Sequence, residues 1–147
     1  MELETVPTSI NEVRSRRADL HAILVDIEQA IAAAVPGRED AWTDLVRTRF
    51  ERLIPAFEEH VAHTQGPDGL FERVRSRSPR LDVNCRRLEA EHATIADQIA
   101  TVRTALDSDP ERIRSAMLDL LRQLVRHRQG GADLVYEAYA VDIGGSE

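Results

Sequence analysis

Lysine is absent from the 147-residue sequence, so the 19 residues counted as Lys and Arg are all arginines. The sequence contains 26 acidic residues. The net charge is −7 and the pI is near 5.3. Nucleic-acid-binding proteins need a basic surface, so we expect no nucleic-acid partner. Cysteine occurs once, at Cys85, which excludes a disulfide within the chain and fits a reducing cytoplasm.

Long apolar runs and strand patterns are also missing. The longest apolar run, from Ile31 to Val35, is far too short to cross a bilayer. The first residues, Met1 to Glu4, lack the positive start and apolar core of a signal peptide, so we expect a cytoplasmic protein with no membrane partner. Aromatic residues make up 4% of the chain, and no stretch sustains the alternation of a half-buried strand. These absences argue against a β-sheet fold.

Four long segments instead repeat apolar residues with helical spacing, and proline or glycine separates them. They run from about Ser9 to Val35, from Glu39 to Gln65, from Ser78-Pro79 to about Leu106, and from Asp109-Pro110 to about Ala138. A turn at 66–69 precedes a short helical step at 70–77. This pattern predicts an all-α fold, an antiparallel up-down-up-down four-helix bundle. We expect one domain over residues 1–147, with loose ends at about 1–8 and 143–147.

Local signals predict where the helices begin and weaken. Ser9, Ser78 and Asp109 are residue types that cap helix N-termini. Gly130-Gly131 is expected to weaken the fourth helix, because glycine is a poor helix former.

Four of the five histidines fall on the apolar stripes, one on each helix: His21, His60, His92 and His127. Any one of them alone is more simply explained as a core residue. Residue counts from the link between the third and fourth helices put His92 and His127 near one level. The counts from the first link match less well for His21 and His60.

Four histidines on apolar stripes require a chemical explanation. A buried polar group without a partner costs about 1–3 kcal/mol, so four would cost about as much as a domain's whole stability. Imidazole suits Fe, Zn, Cu and Ni, and we therefore expect a bound transition metal. His63, three residues after His60, is either a fifth ligand or an exposed residue near the helix end.

The order and spacing of several segments resemble the hemerythrin-like (HHE cation-binding) family. These segments are Phe57-Glu58-Glu59-His60, Gly66-Pro67-Asp68-Gly69-Leu70-Phe71, Leu88-Glu89-Ala90-Glu91-His92, and His127 with the stretch from Ala132 to Tyr139. The resemblance spans about residues 15–143. It implies a non-haem di-iron centre in the bundle core, with O2, NO or peroxide as the small ligand. It also implies that His21, His60, His92 and His127 are metal ligands.

Two positions depart from that family's pattern, which places a glutamate four residues after the second-helix and fourth-helix histidines. Thr64 and Gly131 stand there. Two divalent ions about 3.5–4 Å apart repel by roughly 17–19 kcal/mol at an effective dielectric of 20, and neutral imidazoles do not offset this repulsion. Carboxylates that could enter from elsewhere are Asp133, Glu89 and Asp68.

Three functions follow from these features. The one we favour is a non-haem iron protein that handles or senses O2, NO or peroxide, with one or two irons. The second is a metal-free bundle that acts as an interaction module, with a homodimer as one form. The third is a mononuclear iron or zinc site with a sensing role.

Overall fold

The computed structural model describes the backbone of residues 2–141 and the side chains of residues 15, 16 and 18–140. The helices are α1 (Glu2–Ala32), α2 (Glu39–Gln65), α3 (Leu70–Arg77), α4 (Asp82–Ala105) and α5 (Pro110–Tyr136). A 3₁₀ turn (Pro79–Leu81) precedes α4, and a π-helical turn (Glu137–Val141) follows α5. The described residues contain no strand. The predicted all-α fold with four long helices is confirmed, and α3 is the predicted short step.

The bounds of α2 agree with the prediction, whereas those of α1 do not. Helix α1 begins seven residues before Ser9, which therefore lies inside a helix and does not cap one. Serine caps a helix only at the residue where the helix begins. No glycine interrupts residues 2–8, and α1 already runs through them. The helix ends three residues before Val35, ahead of a turn in which Gly37 takes a φ of 76°. That left-handed conformation suits glycine. The predicted loose end at 143–147 lies outside the described residues.

Residues 1–60 form one compact unit, in which α1 and most of α2 run antiparallel. Asp26 lies near the end of α1 and pairs with Arg49 at 3.7 Å and with Arg52 at 3.9 Å. Arg16, ten residues earlier, pairs with Glu59, which lies ten residues after Arg49. These pairs show the antiparallel register of the two helices. The buried residues of this unit's apolar stripes include Leu20, Leu24, Ile27 and Ile31 of α1, and Trp42, Val46, Phe50, Leu53 and Phe57 of α2.

Residues 61–147 form the second unit, which is built on the antiparallel pair of α4 and α5. The predicted cap of α5 is confirmed, because the Arg112 backbone N–H donates to Asp109 Oδ1 at 2.9 Å. The predicted weakening at Gly130-Gly131 does not break the helix, since α5 continues through both glycines to Tyr136. At Gly130 a Cβ would lie 3.0 Å from Leu88 Cδ2 of α4, so the missing side chain allows close packing. Tertiary contact here outweighs the low helix propensity of glycine.

Helix α4 starts later than Ser78-Pro79 predicts. Those residues open the 3₁₀ turn, in which the Leu81 backbone N–H donates to Ser78 O at 2.8 Å. The turn before α3 is confirmed, with Gly69 N–H donating to Gly66 O at 2.9 Å. Among the described residues, no helix combines the length and the apolar composition needed to span a membrane.

Candidate metal centre

Two buried histidines face each other across α4 and α5. The ring centroids of His92 and His127 are 4.8 Å apart and the rings meet edge to face at 60°. Their residues are only 5% and 3% exposed. The two side chains therefore lie at one level, as their distances from the link between these helices predict.

Each of these imidazoles is held through its Nδ1 atom. His127 Nδ1 lies 2.7 Å from Glu91 Oε1 of α4, and His92 Nδ1 lies 2.7 Å from Gln65 Oε1 at the end of α2. An ionised carboxylate only accepts hydrogen bonds, so a neutral His127 places its proton on Nδ1, and His92 does the same where the amide oxygen of Gln65 faces its ring. In neutral imidazole the proton on Nδ1 leaves the Nε2 lone pair for a metal ion.

An aromatic side chain covers one side of this pair. The ring of Phe71, at the start of α3, stacks on His92 with centroids 5.9 Å apart and an interplanar angle of 19°. Helix α3 is anchored to α4 by Arg75, which donates to Asp82 at 2.6 Å and to both carboxylate oxygens of Glu89 at 3.0 and 3.2 Å. The ion pairs thus hold the helix that carries Phe71.

A third histidine completes a group that could hold a metal ion. One ligand atom from each of His60, His92 and His127 lies within 4.8 Å of the other two. His60 is half-buried on α2. Within the part of the chain that the structure describes, this is the one such group of three or more His, Cys, Asp or Glu side chains.

Three neutral nitrogen donors fit a transition metal. Imidazole binds iron, zinc, copper and nickel, and ligating histidines commonly donate their second ring N–H to a carboxylate or carbonyl oxygen. Glu91 and Gln65 supply those oxygens here. Three protein ligands also leave coordination positions open for a small molecule.

Comparison with known families agrees with this geometry. Residues 17–138 match the family model described as the hemerythrin HHE cation-binding domain. The chain belongs to the hemerythrin family. The hemerythrin fold is a helical bundle, so the predicted four-helix bundle is confirmed and the domain is a cation-binding one. No curated protein and no solved structure gives a significant match.

Several ligands predicted for this hemerythrin domain stay outside the three-histidine group. His21 on α1 is exposed and its neighbour Leu20 is buried, so the prediction that His21 lies in the core is wrong. His63 on α2 and Asp68 in the turn before α3 are also exposed. Their ligand roles remain predictions.

The two other candidate carboxylates have partners elsewhere. Glu89 accepts both of its hydrogen bonds from Arg75. Asp133 is exposed and accepts a hydrogen bond from Gln129 Nε2 at 2.8 Å. Neither belongs to the group of three histidines, and their ligand roles also remain predictions.

Sequence reasoning did not single out Glu91 or Gln65. Glu91 is the residue before His92, so it flanks the apolar stripe of α4 and can reach α5. Gln65 is the last residue of α2. The position of Glu91 next to a stripe histidine was a sequence signal for a role near the site. The sequence does not show its partner, His127, which lies 36 residues further along the chain.

Proposed function

We propose that this hemerythrin domain binds iron through His60, His92 and His127 and uses it to handle or sense O2, NO or peroxide. The observation that carries the proposal is the convergence of three imidazole nitrogens within 4.8 Å. When bound, iron would supply reversible redox chemistry and an open position for a small ligand. Family membership supports the cation, and the choice of iron and of the small ligand is our own.

The protein's own side chains have defined tasks in this proposal. Glu91 and Gln65 orient two of the imidazoles and keep their Nε2 lone pairs available. Phe71 covers His92 with an apolar ring. An apolar ring excludes water from that side of the imidazole and lowers the local dielectric.

A second candidate is a mononuclear iron or zinc site with a sensing role. It is favoured by the donor set, because the group contains three neutral nitrogens and no carboxylate. A single divalent ion avoids the repulsion between two ions, which bridging anions would otherwise have to offset.

Metal analysis of the purified protein tests both candidates. We expect protein made in iron-rich medium to contain iron, near one ion per chain for the mononuclear site and near two for a di-iron centre. Its optical spectrum should change on addition of NO or peroxide. A chelator should lower the melting temperature, because a metal that binds only the folded state stabilises it by mass action.

Two matched variants locate the site. His92→Leu should abolish metal binding, whereas His63→Leu, which replaces an exposed histidine outside the three-histidine group, should retain it. Metal-free protein from iron-rich and zinc-rich media, together with a His92→Leu variant at least as stable as the wild type, would instead favour the metal-free interaction module.

A further inference from the structure

The two buried histidines have hydrogen-bond acceptors of unequal charge. His127 Nδ1 faces the Glu91 carboxylate, and His92 Nδ1 faces the Gln65 amide. The two distances are the same, 2.7 Å. The two hydrogen-bond partners therefore differ in charge and not in distance from the imidazole.

This difference changes the chemistry of the two rings. A hydrogen bond to an ionised acceptor is roughly twice as strong as one between neutral groups, and it draws the Nδ1 proton toward the carboxylate. More electron density then remains on Nε2, which raises the basicity of the imidazole as a ligand. An amide oxygen has the same effect to a smaller degree.

The carboxylate also fixes one tautomer. Glu91 can only accept, so a neutral His127 must place its proton on Nδ1. A glutamine side chain offers both an acceptor and a donor, and rotation by half a turn would hold the opposite tautomer. His92 therefore has a weaker tautomer constraint than His127.

We infer that Glu91 is a positioning residue that makes His127 the more electron-rich donor of the pair and supplies negative charge beside three neutral nitrogens. Its effect reaches a bound metal through the imidazole, without direct coordination by Glu91. The inference rests on the proposed function for its metal, whereas the tautomer of His127 is a property of the metal-free protein.

Imidazole nitrogen NMR of the metal-free protein is the first test. Wild-type His127 should show the Nδ1–H tautomer. Glu91→Gln retains the shape but removes the charge, and it should shift His127 toward a mixture of both tautomers. The exposed control Glu51→Gln should leave His127 unchanged. An unchanged His127 spectrum in Glu91→Gln would overturn the inference.

Cobalt and zinc titrations are the second test. Glu91→Gln should bind either ion about 10- to 100-fold more weakly, with shifted visible bands of the cobalt form. The double variant Glu91→Gln/Gln65→Glu keeps the net charge and moves the carboxylate to His92. Continued weak binding and shifted bands in the double variant would support a role specific to His127.

Full recovery of affinity and bands in the double variant would overturn that role, because it would show a general effect of charge. A wild-type protein with no affinity for either ion or for iron would refute the proposed function. In that case the NMR comparison of Glu91→Gln with the wild type would still decide the tautomer.

Discussion

Gly130 and Gly131 are neighbours in the last third of α5, and their surroundings differ. A Cβ on Gly131 would meet no atom within 4 Å outside the local helix, whereas a Cβ on Gly130 would lie 3.0 Å from Leu88 Cδ2. Alanine at these two positions therefore adds the same methyl group to the same helix, once into open space and once against a packed side chain.

Gly131→Ala should stabilise the protein. Glycine inside a helix is about 0.8–1.0 kcal/mol less favourable than alanine, and nothing in the structure opposes the new methyl group. For a chain of this length, about 1 kcal/mol corresponds to a rise of roughly 2–4 °C in melting temperature.

Gly130→Ala should lose that gain. Carbon atoms pack best at about 3.5–4.0 Å, so Leu88 would have to move by a few tenths of an ångström. Leu88 is only 1% exposed, and an extra methyl in a packed core typically costs about 1–3 kcal/mol. We therefore expect Gly130→Ala to be at least about 1 kcal/mol less stable than Gly131→Ala.

Urea unfolding followed by far-ultraviolet circular dichroism measures both effects. The protein should be metal-free, because a metal bound near His127 would add its own stabilisation. The m-values of the variants should match that of the wild type, which shows that only stability has changed.

A double-mutant cycle identifies the cause. Valine lacks the δ carbons of leucine, so Gly130→Ala should be neutral or stabilising in a Leu88→Val background. An equal effect of Gly130→Ala in both backgrounds would refute the steric explanation. A destabilising Gly131→Ala would refute the continuous helix with open space at that position.

Three further predictions concern other parts of the second unit. Asp109→Ala removes the cap of α5 and should lower the free energy of unfolding by about 0.5–2 kcal/mol in urea titrations. Arg75 and then Arg86 hold the pKa of the Asp82 carboxyl below its ordinary value of 3.8. The ionised Asp82 carboxylate therefore stabilises the folded protein above pH 3.8, and this stabilisation is lost as the pH falls through the lower pKa of the folded state. The stability difference between wild type and Asp82→Asn should be constant at neutral pH and vanish in acid. A difference that persists in strong acid would contradict this. Burial raises the pKa of the Cys85 thiol and shields it from reagents. The thiol should therefore react with a disulfide reagent on the order of a thousandfold or more slowly in native protein than in urea-unfolded protein. Equal reaction rates in the two states would place Cys85 at the surface.

Local sequence signals predicted the helices well where a strong breaker lies on each side. The bounds of α2 agree because Pro36-Gly37 precedes it and Gly66-Pro67 follows it. The start of α1 was predicted wrongly from Ser9, since a capping residue type also occurs inside helices. The cytoplasmic location and the homodimer remain predictions.

The candidate site was predicted only in part, because local sequence patterns do not show contacts between helices. Helical periodicity placed His60, His92 and His127 on apolar stripes, and the structure brings their ligand atoms together. Periodicity says on which face a residue lies, and it does not say which neighbour its side chain contacts. Periodicity therefore did not predict that Glu91 contacts a histidine, although its carboxylate holds His127.

The sequence by itself determined the helical character, the approximate lengths of the helices and the places of His60, His92 and His127 on the apolar stripes of α2, α4 and α5, because these depend on residue spacing within single helices. Tertiary structure alone decided that Leu88 of α4 packs against Gly130 of α5 and that a carboxylate and an amide hold the two buried imidazoles. Those outcomes depend on contacts between residues 27–42 positions apart, such as Gln65 with His92 and Leu88 beside Gly130. Distances across helices arise only when the apolar faces pack, and no local pattern in the chain encodes them.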